Sequence, residues 1–166
     1  MKYKHVKSAM VAAVALALGL ASTSAFATVG TATIAVSTSV QTTCTFTNGT
    51  LTFGQYQNLA LTATGTFGVT CTNNADYVIA LNAGAGTGAT FATRYMMNGT
   101  YKLGYNIYTT AGDSTVWGDG TGSTATVSGV GTGPTAQTIS VYGAIPAGEA
   151  AISGPYTDSI IATVTY

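Results

Sequence analysis

The chain has 166 residues, of which 46% are hydrophobic and only 6% charged. Five basic residues balance five acidic ones, so the formal net charge is zero. So few cations offer almost nothing to a phosphate backbone, which argues against nucleic-acid binding.

Residues 1–27 read as a secretory signal peptide. Lys2, Lys4 and Lys7 form a positive start. The apolar run at 9–20 is too short to span a bilayer, and Ala25-Phe26-Ala27 is a small-x-small cleavage site. Cleavage after Ala27 leaves 139 residues, enough to bury a core. It also removes three basic residues and the only histidine, leaving Arg94 and Lys102 against Asp76, Asp113, Asp119, Glu149 and Asp158, a net charge of −3. Thr, Ser and Asn carry the polar surface instead, which suits a protein embedded in an assembly.

Residues 28–40, TVGTATIAVSTSV, alternate with period two. Ala32, Ile34, Val36, Thr38 and Val40 form a mainly apolar face, and the intervening residues are small and mainly polar. The pattern predicts a β-strand, and a strand with one apolar face must find a sheet, its own or a neighbour's. Residues 42–46 continue the strand pattern through Cys44, and Asn48-Gly49 predicts a turn. Alternation then recurs at 64–72, 77–81, 94–97, 102–108, 138–145 and 159–166. A glycine-rich loop at 82–88 and a long Gly/Thr/Ser region at 112–133 around Trp117 separate these runs. Six or seven short strands without helical periodicity predict an all-β sandwich. The last run, with Ile160, Ala162, Val164 and Tyr166 on one side, has no Lys or Pro to blunt its edge.

Cys44 and Cys71, the two cysteines of an exported chain, are expected to pair. Closing a loop of about 28 residues contributes roughly 3–4 kcal/mol by loop-closure entropy. With no CxxC and no histidine after cleavage, no metal site and no cofactor are expected. The missing histidine also removes any Ser-His-Asp or Cys-His nucleophile system. Asp113 and Asp119 are the one close carboxylate pair, and both fall in a loop that reads as turns. The chain is therefore expected not to be an enzyme.

Nine landmarks, in this order and spacing, carry a resemblance. They are Cys44, Phe53-Gly54-x-Tyr56, Val69-Thr70-Cys71, Tyr77-x-Ile79-x-Leu81, Arg94-x-Met96, Leu103-x-Tyr105-x-Ile107-Tyr108, Trp117-Gly118-Asp119-Gly120, Tyr142-Gly143-x-Ile145-Pro146 and Gly154-x-Tyr156-x-Asp158. With them the sequence resembles the spore coat protein U-like domain family, which includes pilins of archaic chaperone–usher pili. The resemblance implies an incomplete immunoglobulin-like β-sandwich at 41–166, completed by a donor strand from a neighbouring subunit. It places the donor at residues 28–40, with Ala32, Ile34, Val36, Thr38 and Val40 entering the neighbour. Thr38 departs from an all-apolar donor face. The groove walls fall at Cys44 and at Ile160, Ala162, Val164 and Tyr166. The implied partners are further copies in a head-to-tail fibre, other pilus subunits, a periplasmic chaperone and an outer-membrane usher. The implied place is an extracellular fimbria that supports adhesion and biofilm formation.

Two other readings stay open on the sequence. One is a secreted or tip adhesin, lectin-like, with Trp117 stacking on a sugar and Asp119 accepting a hydroxyl. A glycine turn around a packed Trp117 accounts for the same motif more simply. The other is a spore or cell coat component.

Overall fold

Eight strands and no helix make up the regular structure of the computed structural model, which describes residues 26–112 and 114–166. The leader expected at 1–27 lies almost wholly outside the described residues, as does Asp113. The strands are β1 (Cys44–Thr50), β2 (Leu61–Cys71), β3 (Asp76–Leu81), β4 (Arg94–Asn98), β5 (Tyr101–Tyr108), β6 (Val127–Val130), β7 (Gln137–Ile145) and β8 (Ala162–Thr165). The chain divides into two units, Met1–Thr38 and Ser39–Tyr166.

In the second unit, alternation becomes burial. Tyr77, Ile79 and Leu81 on β3, Leu103, Tyr105 and Ile107 on β5, and Val141 and Ile145 on β7 all point into one core. The strands form a five-stranded sheet in the order β1-β2-β7-β5-β4 and a three-stranded sheet in the order β6-β3-β8, with every pairing antiparallel. The longest ladder joins β2 to β7, from Leu61 opposite Ile145 to Val69 opposite Gln137. The fold is an all-β, incomplete immunoglobulin-like sandwich.

Beyond the run expected at 159–166, which is a strand only over Ala162–Thr165, two local expectations change. Asn48-Gly49 is not a turn; both residues lie inside β1. The β1–β2 register slips between Thr47 and Thr50, so β1 carries an extra residue, a bulge. There the two backbones meet so closely that a Cβ on Gly49 would strike the Thr66 carbonyl, and one on Gly65 the Thr50 carbonyl. Glycine serves close approach here, not reversal. The second change is β6, which falls inside the region read as loop. It is four residues long, and its Gly129 makes room for the Tyr77 ring.

In the first unit, residues 26–38 carry no helix or strand. Ile34 is 83% and Val36 90% exposed, and Val40, just beyond the unit boundary, is 80% exposed. Residues 28–40 thus have the alternation of a strand and no sheet in this chain.

Candidate functional site: an open groove into the core

Where a complete sandwich would be closed, the second unit has a groove of about 1730 Å³. One wall is residues 46–58, the rest of β1 and the segment that follows it; the other is residues 151–162, leading into β8. The floor is core: Leu81, Leu103, Tyr105, Ile107, Val141 and Ile145. β1 and β8 are edge strands of their two sheets, each hydrogen-bonded on one side. The gap therefore combines apolar floor with unpaired backbone edges, the two things an added strand satisfies.

Side chains fix both walls. On the first, the Tyr56 hydroxyl donates to the Pro146 carbonyl at 2.8 Å and accepts from the Glu149 N–H at 2.9 Å. Phe53 lies edge-on to Tyr105, with ring centroids 6.0 Å apart. On the second, Asp158 is the anchor. Its carboxylate accepts from the Tyr105 hydroxyl at 2.6 Å, from the Ala85 N–H at 2.8 Å and from its neighbour Ser159 N–H at 2.7 Å. Burial, and then the bond to Asp158, push the Tyr105 hydroxyl far above its ordinary pKa, so it stays a donor.

A buried polar cluster holds the floor from behind. Arg94 is fully buried and donates to the carbonyls of Asn82 and Trp117, at 2.8 and 2.7 Å, and to the Asn106 side chain at 2.5 Å. Burial pulls its pKa down, against the opposing negative charge of Asp158. These bonds tie the loops at Asn82 and Trp117 to β4 and β5. They satisfy a buried cation with structure, and Arg94 offers nothing to a substrate.

The residues singled out from sequence fall as follows. Cys44 and Cys71 are disulfide-bonded and join the ends of β1 and β2. Of the expected groove residues, Ile160 and Ala162 line the groove. Cys44 and Val164 pack against the core beside it, and Tyr166 is exposed. Trp117 is 0% exposed, and its indole N–H donates to the Ile79 carbonyl at 2.9 Å. A ring buried on both faces has no surface for a sugar, which corrects the ligand-loop reading. Asp119 is spent within its own turn, accepting from the Thr121 N–H and hydroxyl at 2.9 and 2.6 Å, which hold its carboxyl below the usual range. Among the described residues no group of three or more His, Cys, Asp or Glu is placed to hold a metal ion. Sequence reasoning gave no role to Phe53, Tyr56, Tyr156 or Asp158. Their signal was the landmark runs Phe53-Gly54-x-Tyr56 and Gly154-x-Tyr156-x-Asp158, which turn out to form the two walls.

The family follows from comparison with known proteins. The model of the Spore Coat Protein U domain matches residues 30–163. This chain belongs to the Spore Coat Protein U domain family. Within reach of that domain is Protein U of Myxococcus xanthus, 31% identical over 179 residues that cover 97% of this chain and 98% of that protein. Among solved structures, the fold matches a chain of the CsuC–CsuE chaperone–tip adhesion subunit pre-assembly complex from archaic chaperone-usher Csu pili of Acinetobacter baumannii. The TM-score is 0.56 at 22% identity, covering 76% of this chain and 40% of that one. At that identity the match speaks for the fold of the Spore Coat Protein U domain.

Proposed function

We propose that this protein is a structural subunit of a surface fibre that polymerises by donor-strand exchange. Residues 28–40 of one copy fill the groove of the next, with Ala32, Ile34, Val36, Thr38 and Val40 facing the core. The observation that carries this reading is a pair of unmet needs in one chain. A strand pattern is left exposed without a sheet, and a sandwich is left open down to its core. Burying Ile34, Val36 and Val40 contributes about 1.5–3 kcal/mol each before ordering costs. Backbone hydrogen bonds along the edges add about 1 kcal/mol each. A head-to-tail contact of this kind does not close on itself, so it builds a fibre.

An open groove is an aggregation hazard until filled. The reading therefore includes a periplasmic chaperone that lends a strand before assembly and an outer-membrane usher that exports the subunit. The product is an extracellular pilus, with other subunits at its ends, that supports surface adhesion and biofilm formation and performs no catalysis. The test is Ile34→Asp, which puts a charge into the groove. Extracts run in detergent without boiling should show a high-mass ladder for the native protein. The ladder should collapse on boiling to about 14 kDa, the mass of residues 28–166. The variant should give no ladder yet still be recovered with its chaperone. Normal ladders from the variant would remove residues 28–40 from the donor role. The family's own description, Spore Coat Protein U domain, favours a coat-type assembly as the second reading. Negative-stain images separate the two, fibres supporting the pilus and a continuous layer the coat.

A further inference from the structure

A donor strand joined directly to a groove wall has a competitor, its own groove. Residues 28–40 precede β1 by three residues, 41–43, and β1 opens one wall of the groove. Three residues suffice for a β-hairpin. A turn at 41–43 would pair Val40 with Cys44, Thr38 with Phe46, Val36 with Asn48 and Ile34 with Thr50. The wall begins at Phe46. A self-filled monomer is therefore within reach of the chain, and intramolecular closure has the higher effective concentration. A chain that polymerises needs something against it.

We propose that Thr72 is that element, a positioning residue that keeps 41–43 extended and so denies the chain its own donor strand. This rests on the donor-strand reading above. Thr72 follows the last residue of β2, beside the Cys44–Cys71 disulfide. Its N–H donates to the Thr43 carbonyl at 2.9 Å, carrying the β1–β2 ladder one step past the disulfide. Its hydroxyl accepts from the Thr43 N–H at 3.0 Å and lies 3.2 Å from the Gln41 carbonyl, to which it donates. The Thr43 hydroxyl stands 3.3 Å away, within hydrogen-bond range of the same oxygen. One side chain thus fastens both ends of the segment whose reversal would keep the whole donor face free for pairing. To turn, 41–43 must give up these bonds. To turn earlier, the chain must spend Val40 and Thr38 on the loop.

The test is Thr72→Val, which keeps the branched shape and the backbone bond but loses the hydroxyl, with Thr72→Ser as the conservative rescue. Mature chains with the disulfide intact are diluted from denaturant, and polymer and compact monomer are separated by gel filtration. Losing about one net hydrogen bond's worth of restraint predicts a roughly five-fold rise in the monomer-to-polymer ratio. The new monomer should melt higher than native monomer, because its groove is filled, and Thr72→Ser should restore the native ratio. A plain loss of folding would lower the melting temperature instead and overturn the proposal. A native ratio in Thr72→Val, with Ile34→Asp still blocking polymer, would overturn it while leaving the donor reading intact. Polymer from Ile34→Asp itself would overturn both.

Discussion

Trp117 shows how far a single residue can mislead and how firmly it is then held. In sequence, Trp-Gly-Asp-Gly reads more simply as a packed turn, with a sugar-binding loop left as the alternative. The structure sets the indole at 0% exposure, against Phe67 at 6.0 Å between ring centroids and bonded to Ile79. Trp117→Ala should therefore cost about 3–5 kcal/mol of stability, read by urea denaturation of the filled subunit, with no separate effect on glycan binding. Tyr105 carries a pH signature. Its pKa is raised in the fold, so above pH ~10 the unfolded chain gives up a proton that the folded one keeps. Its contribution is fully present below that pH and is lost as pH rises beyond it. Stability should fall across the alkaline range, and Tyr105→Phe should remove part of that slope. Neither the burial of Arg94 nor the role of Asp158 was legible. Each depends on carbonyls or N–H groups brought in from distant loops, Asn82 and Trp117 for the first and Ala85 for the second.

The strands were the most legible elements. The alternating runs at 77–81, 102–108 and 138–145 correspond to β3, β5 and β7 within one residue at each end, because each has one face that the core must accept. β6 escaped because four residues with one glycine hold no period worth reading. Asn48-Gly49 misled because turn chemistry and close packing both select glycine, and only the partner strand tells them apart. Gly49→Val therefore tests the bulge. The added side chain must push β1 away from β2, and a loss of about 1–3 kcal/mol is expected in denaturation of the filled subunit. The alternation at 28–40 reads as a strand, yet these residues lie in no strand of this chain, since period two says that a face needs a sheet and not whose sheet it is.

Across the whole molecule, the sandwich is open and stapled. The Cys44–Cys71 bond, 27 residues apart in sequence, ties the edge strand β1 to β2 at the rim that bears the N-terminal segment. Double replacement by serine should lower stability by about 3–4 kcal/mol and, by freeing β1, reduce the yield of fibre. On the proposed donor-strand reading, a fold missing part of its core is marginal alone and firm when filled, so that assembly and folding become one event. The measurement closest to that claim places a photo-crosslinking side chain at Val36 and mixes heavy-isotope and light subunits before assembly. After irradiation, linked peptides are identified by mass. Strand exchange predicts mixed heavy–light links from position 36 to residues 46–58 or 151–162. Links to these residues found only within single-isotope copies, or mixed links only to other surfaces, would contradict it.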